Sequence, residues 1–299
     1  MLPQDPLVSV IITTYKAPEY LHQALESVAR QSFDDYEIIV IDDCSGEEYT
    51  AQYRLPEKAT LICHTHNTGP AGARNTGIEA SRGKYIAFMD GDDVWLPEKL
   101  VIQVRALKNN PGAGLVFCHY KAVDEQLNPV GGETKPRASL RDPLKKLCRG
   151  CIIRTPSCVL ARRDAITECG WFDEHIFGGE DWDYWLRMAI RYDIVSLPDQ
   201  LVLYRMHSDQ VHKKKSRMQA AKLSVMNKAL DWAKSERPDM LNCVRRNYGR
   251  VLRQLAAAKA FEDNNPAEAW DCLRRAISMW PYSIQAYVLW GRLMLKTRR

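Results

Sequence analysis

Short β-branched runs alternate with amphipathic stretches through the first two thirds of the chain. Val8 to Thr13 (VSVIIT) is apolar on both faces and predicts a buried strand, Pro18 to Arg30 a helix opened by proline, and Glu37 to Ile41 a second strand. Leu61 to His64 predicts a third strand, Gly72 to Ser81 a helix, Tyr85 to Met89 a fourth strand, Pro97 to Lys108 a helix and Gly114 to His119 a fifth strand. Consecutive parallel strands need a crossover, and the intervening helices supply it, so the order predicts a mainly parallel α/β sheet.

After Tyr204 the period changes. Segments 216–234, 238–262, 266–279 and 283–297 are rich in Ala, Leu, Arg and Lys at helical spacing and are punctuated by Pro238, Pro266 and Pro281. The stretch AAAKAFEDNNPAEAWDCLRRAISMWP reads as one helix-turn-helix unit of tetratricopeptide type, too few for a self-stable array, so it predicts an all-α appendage. The boundary is placed between 212 and 213, with a catalytic domain over 1–212 and a helical region over 213–299.

A length of 299 residues accommodates both parts, and 45% hydrophobic with 26% charged residues is ordinary globular composition that excludes disorder and fibrous repeats. Nine cysteines without a paired framework point to a reducing compartment. The start, MLPQDPLVSV, lacks a basic n-region, and no apolar run reaches spanning length, so a cytoplasmic protein is expected, stationed at the inner face of the cell membrane if it binds lipid. Charge separates the two parts more sharply than composition does: residues 1–204 carry 22 Lys and Arg against 29 Asp and Glu, residues 205–299 carry 20 against 8.

In such sheets ligands gather at the carboxyl ends of the strands. Thr13 and Tyr15 follow the first strand, Asp42 and Asp43 the second, and Asp90, Asp92 and Asp93 the fourth. Two carboxylates about 4 Å apart repel by roughly 4 kcal/mol at a surface dielectric, so three together call for a cation. Mg²⁺ or Mn²⁺ prefers oxygen ligands and takes one or two carboxylates from protein, leaving sites for a diphosphate. Helix capping explains Asp93 but not all three. In NTGPAGARNTGI, residues 67–78, three glycines allow close backbone approach and Arg74 can pair with phosphate or carboxylate. GGEDWDYWLR, residues 178–187, sets Glu180, Asp181 and Asp183 on a glycine-hinged helix start, a place for a general base or simply for complementing the helix dipole.

SVIITTYK, VIDDCS, GPAGARNTGI, YIAFMDGDDVW and GGEDWDYWLR, in this order and spacing, resemble glycosyltransferase family 2 over about residues 6–207. The resemblance implies a GT-A fold, a Rossmann-like mixed sheet, mostly parallel, with helices on both faces. It also implies an inverting, non-processive transferase that moves one sugar from a nucleotide sugar, UDP-linked by resemblance, to a saccharide or lipid-linked acceptor in surface polysaccharide or lipopolysaccharide assembly. Thr13 and Tyr15 would border the uracil, Asp43 with Asp42 beside it would accept from the ring, Arg74 would sit near base or phosphates and Asp90 would face the ribose. Asp92 would hold the divalent metal, Mn²⁺ or Mg²⁺, and Asp181 would be the base. In the closing YRMHSDQVH segment, Arg205, His207 and His212 are candidates to reach diphosphate or metal, and His207 is taken with Asp92 as a metal residue. Trp171, Trp182 and Trp185 are candidates for an acceptor platform. Gly91 departs from the small Ser or Ala common at its position, a change expected to be harmless, and no Gln-x-x-Arg-Trp segment is present.

Three rival readings carry less. Cys63, His64 and His66, and the Cys148/Cys151 pair, have partial zinc spacing but no second pair, so buried thiols and a strand-end histidine are expected. A sugar-nucleotide pyrophosphorylase would have a glycine-rich, basic segment where TTYKAPEY stands. The basic run HKKKSR, residues 212–217, comes with no nucleic-acid motif, so no nucleic-acid partner is expected. Trp280, Tyr282, Tyr287 and Trp290 beside Arg292, Lys296, Arg298 and Arg299 instead suit an interfacial helix and peripheral membrane contact, against the alternative of a packed helical hairpin.

Overall fold

A computed structural model describes residues 5–131, 141–207 and 215–297. The elements in chain order are β1 Val8–Thr14, α1 Pro18–Ala29, β2 Tyr36–Asp42, α2 Glu47–Thr50, β3 Ala59–Cys63, α3 Gly69–Ala80, β4 Tyr85–Asp90, β5 Val94–Trp95, α4 Lys99–Asn109 and β6 Ala113–Val123. They continue as α5 Pro143–Leu147, β7 Val159–Arg162, α6 Arg163–Cys169, α7 Glu180–Arg191, β8 Asp193–Arg205, α8 Lys215–Ser235, α9 Leu241–Phe261, α10 Pro266–Met279 and α11 Ile284–Thr297. Two compact units form: one from 1–143, 152–174 and 183–209, the other from 144–151, 175–182 and 210–299. The 212/213 boundary expected from sequence lies outside the described residues, and the helical unit also takes in two short segments from before it.

The first unit holds one mixed sheet of eight strands in the order β3-β2-β1-β4-β7-β6-β8-β5. β1 to β4 are mutually parallel, β7 runs antiparallel to both β4 and β6, and β5 pairs antiparallel with β8. The central strands are buried on both faces, as parallel strands covered by helices must be, with Ile11, Ile12, Val40 and Phe88 in the core. Pro18 opens α1 at a position where its missing N–H costs nothing, and Leu21, Ala24, Leu25 and Val28 form the buried stripe. In α3, a Cβ on Gly77 would stand 2.3 Å from Ile11 Cγ2, so glycine lets this helix lie close on β1.

Register fixes what meets at the carboxyl edge. Thr13 pairs with Asp90 and Thr14 with Asp42, so β1, β2 and β4 end level. Val94 pairs with Leu203, which brings the acidic loop before β5 against the last residue of β8, Arg205. The strands missing from the sequence reading, β5, β7 and β8, are short or carry polar residues and Pro198 within an otherwise apolar run.

The second unit is helical. Gly249 lets α9 approach the end of α10, where an added Cβ would meet Ala276 O and Trp280 Cβ at 3.1 Å. Asn265 caps α10 by accepting from the Glu268 N–H at 3.2 Å, and Lys259 bridges Asp263 and Glu268 at 3.2 and 2.8 Å. These contacts close the α9–α10 turn that the proline and asparagines of EDNNPAE predict.

Candidate active site

The loop Asp90-Gly91-Asp92-Asp93 turns tightly, with the Asp93 N–H donating to Asp90 O at 3.0 Å and the Gly91 N–H to Thr13 O at 2.9 Å. A Cβ on Gly91 would lie 2.9 Å from Thr13 O and 3.2 Å from Thr14 Cβ, so this loop packs where glycine fits and a side chain would have to displace backbone.

The three carboxylates diverge, and each is compensated differently. Asp90 Oδ1 accepts from Arg74 Nη2 at 2.8 Å, and its Oδ2 lies 2.9 Å from Thr155 Oγ1. Asp93 is fully buried, with Oδ2 3.0 Å from the same hydroxyl and Oδ1 accepting from the Arg205 N–H at 3.2 Å. Burial first, and then the Asp92 and Asp90 charges, push the Asp93 carboxyl well above the usual range. A neutral Asp93 also satisfies the hydroxyl geometry. Thr155 has one proton to give, so it donates to Asp90 and accepts from the Asp93 O–H, with the Ser157 N–H donating to it as well at 3.2 Å. Arg74 therefore compensates Asp90 and burial raises the Asp93 carboxyl, which leaves Asp92 as the acid available to a cation; no group of three acidic, His or Cys ligands gathers for a metal among the described residues.

Asp92, unlike the buried Asp93, is partly exposed. Its Oδ2 stands 3.0 Å from His207 Nε2, and the side chains are 27% and 13% exposed. Atoms about 2.1 Å from one octahedral ion at right angles are about 3 Å apart, so this pair fits two ligand positions of a Mg²⁺- or Mn²⁺-sized cation. The loop is pinned from below by Arg205. This residue is fully buried, donates from Nε to Asp92 O at 2.8 Å and from Nη2 to Gln23 Oε1 at 2.6 Å, reaches the Glu125 carbonyl, and lies over the Tyr20 ring. Buried on backbone acceptors, Arg205 holds the loop rather than reaching out to a diphosphate, which corrects its candidacy. His212 lies outside the described residues.

At the end of β2 the two acids do different work. Asp42 is buried and accepts from the Ser45 N–H at 2.8 Å and Tyr53 O–H at 2.5 Å, which shapes the following turn and raises the Tyr53 phenol through burial and the Asp42 contact. Asp43 Oδ1 accepts from the Thr68 N–H at 2.8 Å and lies 2.9 Å from His64 Nδ1, while Oδ2 accepts from the Gly69 N–H at 2.8 Å. It thus caps the N-terminus of α3, where a carboxylate complements the dipole. A carboxylate oxygen accepts two hydrogen bonds, so Oδ2 keeps capacity for a ligand N–H. Capping by Asp43 also aims α3 so that Arg74, on its second turn, meets Asp90. Tyr15 is half exposed beside Thr13, and Lys16, which follows it, has a left-handed φ of 52° and lies over the Tyr15 and Tyr49 rings.

The first turn of α7 carries Asp181, whose Oδ1 accepts from the Trp182 N–H at 2.6 Å. Glu180 folds back, its Oε2 accepting from the Gly178 and Gly179 N–H groups at 3.0 and 2.9 Å, with Gly178 at a φ of 87° that glycine adopts freely. The hinge glycines seen in the sequence are clamped by Glu180. Asp183 is buried and paired with Arg187 at 2.9 Å.

Two of the three tryptophans proposed as an acceptor platform are buried: Trp185 packs with Phe88, Phe172 and Tyr184, and Trp182 donates to Leu147 O at 2.8 Å. Trp171 is exposed. The zinc readings gain no support, because His64 is taken up by Asp43 and Thr76 and no group of three His, Cys, Asp or Glu ligands gathers among the described residues, while Cys63 and Cys151 are exposed rather than buried as expected. Thr155 and Ser157, which hold Asp90 through its carboxylate and its N–H, were absent from the sequence reading. Their one trace is a polar Thr-Pro-Ser set at the head of an apolar run, VLA.

A family model described as Glycosyl transferase family 2 matches residues 9–170. An uncharacterized glycosyltransferase of Methanocaldococcus jannaschii is 31% identical over 208 residues, 67% of this chain and 71% of that protein. Another, from Rickettsia bellii, is 32% identical over 210 residues, and the match spans only 30% of its length. Among solved structures, S. aureus TarS 1–349 in complex with UDP-GlcNAc superposes with a TM-score of 0.67 at 17% identity, over 91% of this chain and 81% of that one. The mannosyltransferase PcManGT from Pyrobaculum calidifontis, in complex with GDP-Man and Mn²⁺, gives 0.64 at 18% identity over 99% and 82%. The two structures share the fold, and the sequence matches carry the ancestry: this chain, with a GT-A sheet and a C-terminal helical region, belongs to glycosyl transferase family 2.

Proposed function

We propose that the protein is an inverting glycosyltransferase that moves one sugar from a UDP-sugar to a hydroxyl of a saccharide or lipid-linked saccharide, at the cytoplasmic face of a membrane. The catalytic part corresponds to 1–212, with 213–299 as an accessory helical region. The observation that carries this reading is the convergence of Asp43, Arg74, Asp90 and Asp92 at the level ends of β1, β2 and β4. Resemblance to the family supports the donor class and the surface-polymer setting, as does a Bacillus subtilis relative, 33% identical over 153 residues, that is named for teichuronic acid biosynthesis.

The uracil lies against Thr13 and Tyr15, with the spare lone pair of Asp43 Oδ2 accepting the imide N–H and Asp42 holding the turn beside it. Asp90, fixed by Arg74 and Thr155, accepts from a ribose hydroxyl. Asp92 and His207 hold a divalent cation. That ion supplies charge neutralisation for the departing diphosphate. Asp181 accepts the proton of the acceptor hydroxyl, whose oxygen bonds to the anomeric carbon as the bond to the diphosphate oxygen breaks on the opposite face. One displacement inverts the configuration.

Calorimetric titration with UDP-, GDP- and dTDP-sugars, with and without Mn²⁺, tests the reading. Metal-dependent binding of a UDP-sugar is the expected result. Binding that is indifferent both to the base and to the metal overturns it.

A further inference from the structure

We propose that the outer face of α11 is a docking surface for an anionic lipid bilayer. The inference concerns the helical unit alone and does not depend on the donor assignment. Helix α11 turns Ala286, Leu289 and Leu293 into its unit, as an amphipathic helix does. Its opposite face is also apolar. Tyr282, Ile284 and Leu295 are 81%, 77% and 69% exposed, and Tyr287, Val288 and Met294 are at least 44% exposed. Positions 284, 287, 288, 291 and 295 follow the helical period, so the exposed residues form one stripe rather than scattered singles.

Charge decides what covers the stripe. From Cys272 to Arg299 the chain has six basic residues and no acidic one. A second copy would therefore bring like charge to like charge. A nucleic acid needs the cations but not four exposed aliphatic side chains. A bilayer uses both: the apolar face enters the boundary between headgroups and acyl chains while nearby Lys and Arg meet anionic headgroups. A cleft of about 330 Å³ lined by Trp270, Arg274, Trp290 and Met294 adjoins the stripe, with the two indoles edge to face at 4.8 Å. A guanidinium lining a cleft with two indoles suits a lipid phosphate at interface depth. No described helix is long and apolar enough to cross a membrane, so α11 lies in the surface plane.

The test is co-sedimentation of the full chain with phosphatidylglycerol–phosphatidylcholine vesicles and with phosphatidylcholine vesicles, for the wild type and for a Val288→Asp/Leu295→Asp double variant. Both positions are exposed, so the variant folds, which its melting temperature checks. The wild type is expected to bind the anionic vesicles at least about tenfold more tightly than the neutral ones, and the double variant to lose about tenfold or more of that binding. Equal binding by wild type and variant overturns the proposal. So does a wild-type dimer in light scattering that the variant splits, or anion binding that RNA competes for and phosphatidylglycerol does not.

Discussion

His207 Nε2 stands 3.0 Å from Asp92 Oδ2, although the two residues are 115 positions apart. The closure comes from β8 returning along β5 and delivering its last residue, Arg205, under the acidic loop, so that the imidazole two residues later lands on Asp92. If the pair holds a cation, His207→Ala should weaken Mn²⁺-dependent donor binding by about 10- to 100-fold, and Asp92→Ala should abolish the metal dependence. Titration calorimetry at several Mn²⁺ concentrations checks both. Full metal dependence in Asp92→Ala removes the assignment.

Thr155→Val tests the hydroxyl that joins Asp90 to Asp93. The replacement keeps the shape and leaves Asp93 without its acceptor and Asp90 without its donor. A lost buried hydrogen bond with unsatisfied partners costs about 1–3 kcal/mol, so the melting temperature should fall by several degrees and donor affinity about tenfold. Thr155→Ser keeps the hydroxyl and should recover most of the affinity, which a purely packing role for the threonine would not produce.

What the sequence reveals here follows the range of the interactions. The strands β1, β2 and β4, the helices α1 and α3, and all four C-terminal helices are set by local period and by proline and glycine punctuation, and their predicted spans agree with the observed ones closely. The acids at the strand ends were legible because parallel α/β topology places such residues on one edge. Three features were not legible. The raised Asp93 carboxyl depends on its burial, the role of Arg205 depends on two distant backbone carbonyls and the Gln23 side chain, and Thr155 acts across 65 residues. Each is a long-range polar contact, and no periodicity marks it.

Gly91→Ala measures how tightly the acidic loop is held. The new methyl would meet Thr13 O at 2.9 Å, a backbone atom that cannot swing aside. Overpacking of this kind costs about 1–3 kcal/mol, and here the displaced atoms flank Asp90 and Asp92. The expected outcome is a higher KM for the donor with a modest fall in melting temperature. An unchanged KM would mean that the loop relaxes without moving its carboxylates.

Asp181→Asn separates binding from chemistry. The amide keeps an oxygen to accept the Trp182 N–H, so the α7 turn should survive. Donor affinity should stay within about twofold while transfer falls by about 10²–10⁴-fold, the usual worth of a positioned base. Retained turnover places the base elsewhere.

Lys99 gives a stability prediction independent of catalysis. Its side chain is fully buried, with Nζ 3.7 Å from the Trp95 ring centroid and donating to Gln103 Oε1 at 2.7 Å, and burial lowers its pKa to about 8 against an ordinary 10.5. Between those values the folded chain holds fewer protons at this site than the unfolded one, so its contribution to stability rises with pH; below about 8 it is a constant cost of about 3 kcal/mol. Lys99→Met removes that cost but also leaves Gln103 Oε1 without its donor, a loss of about 1–3 kcal/mol, so the two effects nearly offset near neutrality. The discriminating quantity is the trend. The melting temperature of Lys99→Met relative to wild type should fall steadily as pH rises from about 8 to about 10, because only the wild type gains. The buried thiols of Cys118 and Cys158 also act on Lys99; burial raises both, but the hydrogen bond with Cys158 and the Lys99 charge bring the first down on balance, and a Cys118→Ala/Cys158→Ala background isolates the lysine. A difference that stays flat across that window would show that Lys99 is charged in the folded core at pH 10, held there by Trp95 and Gln103.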